Sequence, residues 1–390
     1  MSKPAPAAAS ISVIVPTYNR AHCIEACLES LLAQTVPALE ILVIDDGSTD
    51  DTAQRLARYA GRVTCISKPN GGKPSAVNLG LERARGEWIW IFDDDDVALP
   101  EANAYRLQAL ATQPDAGFVY GAHWVEHDGP DQKKGAGKLH TPPPPQPDGF
   151  FFELMRSCFW HLGTALVRRS LYQRLGGLDP ALLSCEDYDF QIRLARVAQP
   201  AYCREPVFVF RQHQGARGSQ AIRHTAAERN QMFRRYSQAV GIKLRAVVPL
   251  AEYLVPHNAG LTDGALAPDT EAQALLNRME VMGNHGCVTE LLDDLESLLQ
   301  LRAAAGQPLL KADRAGIARA MRAGWACEAS QLDMPTWLGQ ATRLKRHPGG
   351  PAALRALASG VFTLARSHPG SARLRLDKAR HAARLVWGSV

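Results

Sequence analysis

Four consecutive aspartates, Asp93 to Asp96, close the apolar run Trp88-Ile89-Trp90-Ile91-Phe92 and are followed by Val97-Ala98-Leu99-Pro100. Carboxylates packed this closely repel one another unless a cation or positive groups answer them. Mg²⁺ and Mn²⁺ do so through oxygen ligands, usually one or two carboxylates plus substrate phosphates. A solvated acidic turn is the plain alternative. The run ends a strand whose residues must be buried, so it stands at the carboxyl edge of a sheet, where α/β proteins bind ligands. Two more polar clusters end apolar runs: Pro16 to Arg20, and Asp45-Asp46. If the strands are parallel, all three clusters share one rim. A nucleotide suits that rim, with Tyr18 flanking a base, Asp46 accepting from a base N–H, and Asp94 and Asp95 holding ribose hydroxyls and a metal. Neither GxxxxGK[ST] nor GxGxxG follows the first strand, which argues against P-loop and dinucleotide folds.

The elements that must position these residues alternate through the first 125 residues. Strands are predicted at Ile11 to Val15, Glu40 to Ile44, Arg62 to Ser67 and Glu87 to Phe92. Helices are predicted at His22 to Gln34, from a Ser48 or Thr49 cap to Tyr59, at Ser75 to Arg85, and from Pro100 at a first turn. This order implies an α/β fold with a mostly parallel sheet and helices on both faces. Residues 128–149, rich in glycine, lysine and proline, read as a flexible loop. Beyond it come Phe150 to Phe159, a strand at Gly163 to Val167, a helix at Asp187 to Ala198 and a strand near Pro206 to Phe210. From about 220 the pattern is helical only: Ala221 to Val240, Thr270 to Met282, Val288 to Ala304, Ala312 to Ala326 and three shorter pieces after Pro335. The expected organisation is a disordered stretch 1–9, an α/β domain 10–220 and a helical extension 221–390.

Six blocks, in order, resemble the inverting glycosyltransferases of family 2, which have the GT-A fold. They are Ser12 to Arg20; Ile41 to Asp50; Asn70-Gly71-Gly72-Lys73 through Asn78-Leu79-Gly80; Phe92 to Asp96 with Pro100; Gly176 to Asp179 with Cys185 to Phe190 and Arg193; and Phe210-Arg211-Gln212-His213. The resemblance covers about residues 10 to 220. It implies a donor site made by Pro16, Thr17, Tyr18, Arg20, Asp46 and Asn78, with Asp93 and Asp94 supporting ribose or metal. Asp95 is implied as the ligand to Mn²⁺ or Mg²⁺, with His213 as a second ligand or a diphosphate contact. Asp187 is implied as the general base, with Glu186 beside it. Many relatives carry arginine where Val77 stands, so Lys73 or Arg20 is expected to supply that phosphate contact. The implied donor is a nucleoside-diphosphate sugar, UDP being the commonest nucleotide. The implied acceptor is a glycan or lipid-linked glycan of surface polysaccharide synthesis, and no nucleic acid is involved.

Elementary chemistry agrees with this division of roles. Glycosyl transfer needs the leaving diphosphate stabilised, which a cation does directly. Inversion needs a base on the opposite face of the sugar from the leaving group. Glu186 and Asp187, being adjacent, resist double ionisation, so one pKa is expected to rise. Read alone, the pair is an acidic helix N-terminus that favours the dipole. A nucleotidyltransferase is the rival enzyme, and a non-catalytic nucleotide- or glycan-binding module the rival of another class.

Composition sets the outer limits. The 390 residues allow two domains or more, and a net charge of +5 does not point to nucleic acid. Met1 to Ser10 lacks the apolar stretch of a secretory signal, and no run reaches the roughly eighteen apolar residues of a bilayer span. Eight scattered cysteines without a CxxC pair read as reduced, mostly buried thiols of a cytoplasmic protein. Residues 341–390 hold ten Lys/Arg against the single acid Asp377. In Arg373 to Trp387 those charges interleave with leucines and a tryptophan. That pattern suits peripheral contact with an anionic membrane, an ordinary helix packing its leucines inward, or docking of a partner protein.

Overall fold

The computed structural model describes residues 10–127, 137–146, 148–212, 228–256, 266–322 and 334–367. The chain divides into two compact units, residues Met1–Phe150 with Cys158–Met232, and residues Phe151–Ser157 with Phe233–Val390.

The first unit begins β1 (Ile11–Thr17), α1 (Ile24–Leu32), β2 (Glu40–Asp45), α2 (Thr52–Ala57), β3 (Thr64–Ser67), α3 (Lys73–Arg83) and β4 (Trp88–Ile91). It continues β5 (Val97–Ala98), α4 (Ala102–Thr112), β6 (Phe118–Gly121), β7 (His123–His127) and β8 (Lys138–His140). After α5 (Phe150–Arg156), most of which belongs to the second unit, come β9 (Leu166–Arg168), α6 (Arg169–Leu175), α7 (Glu186–Ala195), β10 (Pro200–Cys203) and β11 (Phe208–Gln212). A seven-stranded sheet runs β10-β6-β9-β4-β1-β2-β3. All of its pairs are parallel except those of β9, which is antiparallel to both neighbours. A separate four-stranded sheet runs β5-β11-β7-β8.

Register delivers the polar clusters to one edge. Thr17 pairs with Asp45 and Ile14 with Ile91, so the residues that follow β1, β2 and β4 leave the sheet together. The strands hold still because they are buried on both faces: Val13, Ile14, Val15, Val43, Ile44, Trp90 and Phe92 are all inside. Trp90 is fixed further by its indole N–H, which donates to the Gly163 carbonyl at 2.7 Å, and by the buried Arg106 guanidinium 3.7 Å from its ring centre. Burial pushes Arg106 down to about 9.

Several sequence expectations change. The segment 128–149 is not wholly a loop: Lys138–His140 forms β8 against β7. The strands β6, β7 and β10 were not foreseen, and β9 starts at Leu166 behind a 3₁₀ turn at Leu162–Thr164. Neither Ser48 nor Thr49 caps α2; the Ser48 hydroxyl accepts from the Asn19 N–H instead, and Asp50 accepts from Thr52. Helix α4 starts two residues after Pro100. The seven described cysteines are free thiols, of which Cys65 and Cys158 are exposed.

The second unit is helical: α8 (Arg229–Val247), α9 (Pro268–His285), α10 (Val288–Ala304), α11 (Lys311–Arg322), α12 (Met334–Lys345) and α13 (Gly350–Ser367), with a 3₁₀ turn at Leu250–Tyr253. Residues 221–227 of the first expected helix, and whatever follows 367, lie outside the described residues. Asp294, wholly buried on α10, accepts from Arg245 of α8 at 2.9 Å and from Arg278 of α9 at 2.7 and 2.9 Å. A buried carboxylate so fully bonded fixes three helices in one register. His285 joins α5 to this bundle, its Nε2 lying 2.9 Å from the Met155 carbonyl oxygen. No described helix is long and apolar enough to cross a membrane.

Candidate active site

The rim of the seven-stranded sheet opens as a cleft of about 190 Å³. Pro16, Thr17, Tyr18 and Arg20 reach it from the end of β1, Asp46 from the end of β2, and Asp93, Asp94 and Asp95 from the end of β4. Gly72 and Lys73 come from the start of α3, and Glu186 from the start of α7. The three clusters expected on one rim therefore meet, and a fourth and fifth segment join them.

Asp46 is almost completely buried and its carboxylate is saturated. It accepts from the Gly72 N–H at 2.7 Å, the Gly71 N–H at 3.0 Å, the Asn70 amide at 3.0 Å and the Lys68 ammonium. The side chain expected to meet a base thus organises the 68–72 turn that launches α3. The turn presses on Gly47, whose φ of +80° is a left-handed conformation. A Cβ there would lie 3.0 Å from the Asn70 nitrogen. Gly47→Ala is therefore expected to destabilise the protein by about 2 kcal/mol, measured by urea titration, and to weaken donor binding. Asn19, the non-glycine residue of this region with a left-handed φ (54°), accepts from the Thr49 N–H at 2.7 Å and so ties the β1 and β2 loops together.

Among the aspartates, positive groups do answer the charge. Arg20 lies 3.3 Å from Asp94 and 3.6 Å from Asp95; Lys73 lies 2.6 Å from Asp93. Burial is the largest influence on Asp94 and, with Asp95 beside it, outweighs Arg20, pushing Asp94 up to about 7. Burial works against the charge of Asp93 as well, but there Lys73 prevails and holds it below the usual carboxylate range. Asp96 turns away from the cleft: its Oδ1 accepts from the Arg211 N–H at 3.0 Å, tying the run to β11. The Arg211 guanidinium also donates to the Asp95 carbonyl. Sequence reasoning quoted Arg211 only as a neighbour of His213 and missed this support. His213 itself lies outside the described residues.

The buried Thr17 hydroxyl lines the cleft beside Asp94, whose charged form it favours. Asp94 and Asp95 are mostly buried and adjacent, and the Arg20 guanidinium lies loosely beside both. Such a donor set fits a hard divalent ion completed by phosphate oxygens. Among the described residues no group of three or more His, Cys, Asp and Glu side chains is arranged to hold a metal unaided.

Helix α7 is entered through Cys185 in a left-handed conformation (φ 62°). That strained entry swings Glu186 into the cleft, where it lies 3.9 Å from the Lys73 ammonium. Burial, reinforced by Asp187, pushes Glu186 up to about 7. The expected rise within the pair thus falls on Glu186. Asp187 follows one position later, half-buried and outside the cleft lining; its Oδ1 accepts from the Tyr188 N–H at 2.8 Å. Lys73 feels all of Asp93, Glu186 and Asp187: burial opposes its charge, and these carboxylates raise it above the ordinary lysine value.

Other residues fall elsewhere. Asn78 is not in the cleft; its amide donates to the Leu178 carbonyl and accepts from the Leu178 N–H, both at 2.8 Å. Gly177 allows this approach, since a Cβ there would sit 2.0 Å from the Asn78 Oδ1. Val77 is buried. Arg193 pairs with Asp189 at 2.8 Å and donates to the Gly177 carbonyl at 2.9 Å, a packing role for α7. His161 accepts from the Gly163 N–H at 3.0 Å and packs near Phe208 and Phe210.

Residues 12–176 match the family model described as glycosyl transferase family 2. An uncharacterised glycosyltransferase of Haemophilus influenzae is 30% identical over 187 residues, covering 47% of this chain and 61% of its own length. A chondroitin synthase of Pasteurella multocida is 38% identical over 113 residues, 28% of this chain and 12% of that one. The chain spans 61% to 64% of the length of the first curated relatives it matches. Among solved structures, S. aureus TarS 1–349 in complex with UDP-GlcNAc aligns over 97% of this chain and 91% of its own, at TM-score 0.50 and 17% identity, a likeness of fold.

Proposed function

We propose that this chain, which carries a family 2 glycosyltransferase domain over residues 12–176, transfers a sugar from a nucleoside diphosphate to an acceptor hydroxyl with inversion. The observation that carries this reading is the meeting of Asp93 to Asp95 and Glu186 in one cleft, where the Lys73 ammonium lies 2.6 Å from Asp93 and 3.9 Å from Glu186. Asp187 takes the proton from the acceptor hydroxyl as the oxygen attacks the anomeric carbon, and Glu186 lines the acceptor side. Tyr18 flanks the base. Arg20 and Lys73, already positioned at the aspartates, supply positive charge to the diphosphate. Asp95, with Asp94 beside it, would hold Mn²⁺ or Mg²⁺, which stabilises the departing diphosphate's charge when bound. We assign the donor to the UDP sugars and the acceptor to a glycan or lipid-linked glycan of surface polysaccharide synthesis, worked on at the cytoplasmic face of a membrane.

Thermal unfolding with nucleoside diphosphates tests the donor. UDP at about a hundred times its Kd is expected to stabilise the protein by about 2.7 kcal/mol with Mn²⁺ present. Much less stabilisation is expected after chelation. Equal stabilisation with and without the metal removes the divalent ion from this account. A larger shift with GDP or dTDP reassigns the donor.

A further inference from the structure

In the helical unit, α11 and α13 pack so closely that a Cβ on Gly360 would meet the Ala318 carbonyl oxygen at 2.4 Å. Beside this contact runs a groove of about 500 Å³. Lys311, Arg314 and Arg322 line one wall, Arg355 the other, and Ala318 and Ala356 floor it. All four cations are exposed, and no acidic side chain lines the groove among the described residues. The bias follows from how the acids are used. The two helices carry six Lys/Arg against the single acid Asp313. Asp313 is turned inward and consumed by Arg302 at 2.9 Å. Lys311, Arg314, Ala318 and Arg322 follow the spacing of one helix face, so the charged wall is roughly 16 Å long.

We infer that this groove binds an anionic polysaccharide strand, a chain with carboxylate or phosphate groups at intervals, and that this is the acceptor class. The inference rests on the glycosyltransferase reading only for the word acceptor. The lining selects the occupant. A single-stranded nucleic acid would want aromatic platforms, and the groove has none. A membrane surface would want large apolar side chains to insert, and between the cations there are only alanines and Ser359. A recessed channel with small residues on its floor and guanidinium groups on both walls suits a hydrophilic chain carrying oxyanions.

The test is direct binding of the full chain to labelled polygalacturonate, with neutral dextran, phosphatidylglycerol vesicles and oligothymidylate as parallel probes. Polygalacturonate is expected to bind, dextran not to bind, and the apparent Kd to rise at least about tenfold between about 50 and 300 mM salt. The double variant Arg314→Glu/Arg355→Glu is expected to lose at least about tenfold in affinity with an unchanged melting temperature. Charge reversal at exposed Arg62, which pairs with Glu29 in the other unit, should leave affinity intact. Donor hydrolysis is followed separately: groove variants are expected to keep it, so its absence in every protein would count against the transferase and not against the groove. Unchanged affinity in the double variant overturns the inference. Equal or tighter binding to vesicles or to oligothymidylate overturns it too, in favour of a membrane or a nucleic acid.

Discussion

Asp187→Ala is expected to lower transfer about a thousandfold while leaving UDP binding intact, and Asp95→Ala to lower it by a similar factor while abolishing the metal-dependent part of that binding. The two losses are separable because the carboxylates stand on different elements, one at the end of β4 and one in the first turn of α7. Product formation under saturating donor, read beside a thermal shift with UDP and Mn²⁺, distinguishes them. A folded Asp187→Ala protein with full turnover would shift the base to Glu186, which is the member of the pair that lines the cleft. A folded Asp95→Ala protein that keeps its metal response would move the ligand to Asp94.

Glu186→Gln is expected to do two opposite things. The carboxyl of Glu186 is raised from 4.5 to about 7, first by burial and then by Asp187. A carboxyl raised in the folded state adds stability below its unfolded pKa, and that stability is lost as pH rises through about 7. At about pH 8 the wild type carries a buried charge that the amide lacks, so the variant gains up to about 3 kcal/mol. Below about pH 4.5 the gain disappears, because both side chains are then neutral. Urea titrations at the two pH values check the sign. Transfer is expected to fall in the same variant, since the cleft loses an acceptor-side carboxylate. Greater stability with less activity would mark Glu186 as a residue kept for chemistry.

Much of the site was legible because its signals are local. Each of the clusters Pro16 to Arg20, Asp45-Asp46 and Asp93 to Asp96 abuts an apolar run, and parallel register then leaves one rim for all three. What was not legible depends on partners far along the chain. Asp46 looked available for a base, yet four donors from 68–72 occupy it. Asn78 looked like part of the donor block, yet its partner is Leu178. The antiparallel β9 and the two-residue β5 are too short to show a period, so a mixed sheet and a second sheet could not be read from them. Glu186 and Asp187 were found through block order; the left-handed Cys185 that precedes Glu186 at the cleft leaves no mark in the sequence.

The Asn78–Leu178 pairing bears on recombination. It locks the helix that begins with Lys73 to the segment that leads into Glu186, with Gly177 kept small to let the two meet. The two segments are therefore not interchangeable cassettes. A chimera with its crossover anywhere between these positions inherits one partner from each parent, and a parent lacking either the amide or the glycine would deliver a folded protein whose two half-sites no longer agree on their spacing. Segment exchanges between relatives should carry residues 73–83 along with 176–195, or leave both in place.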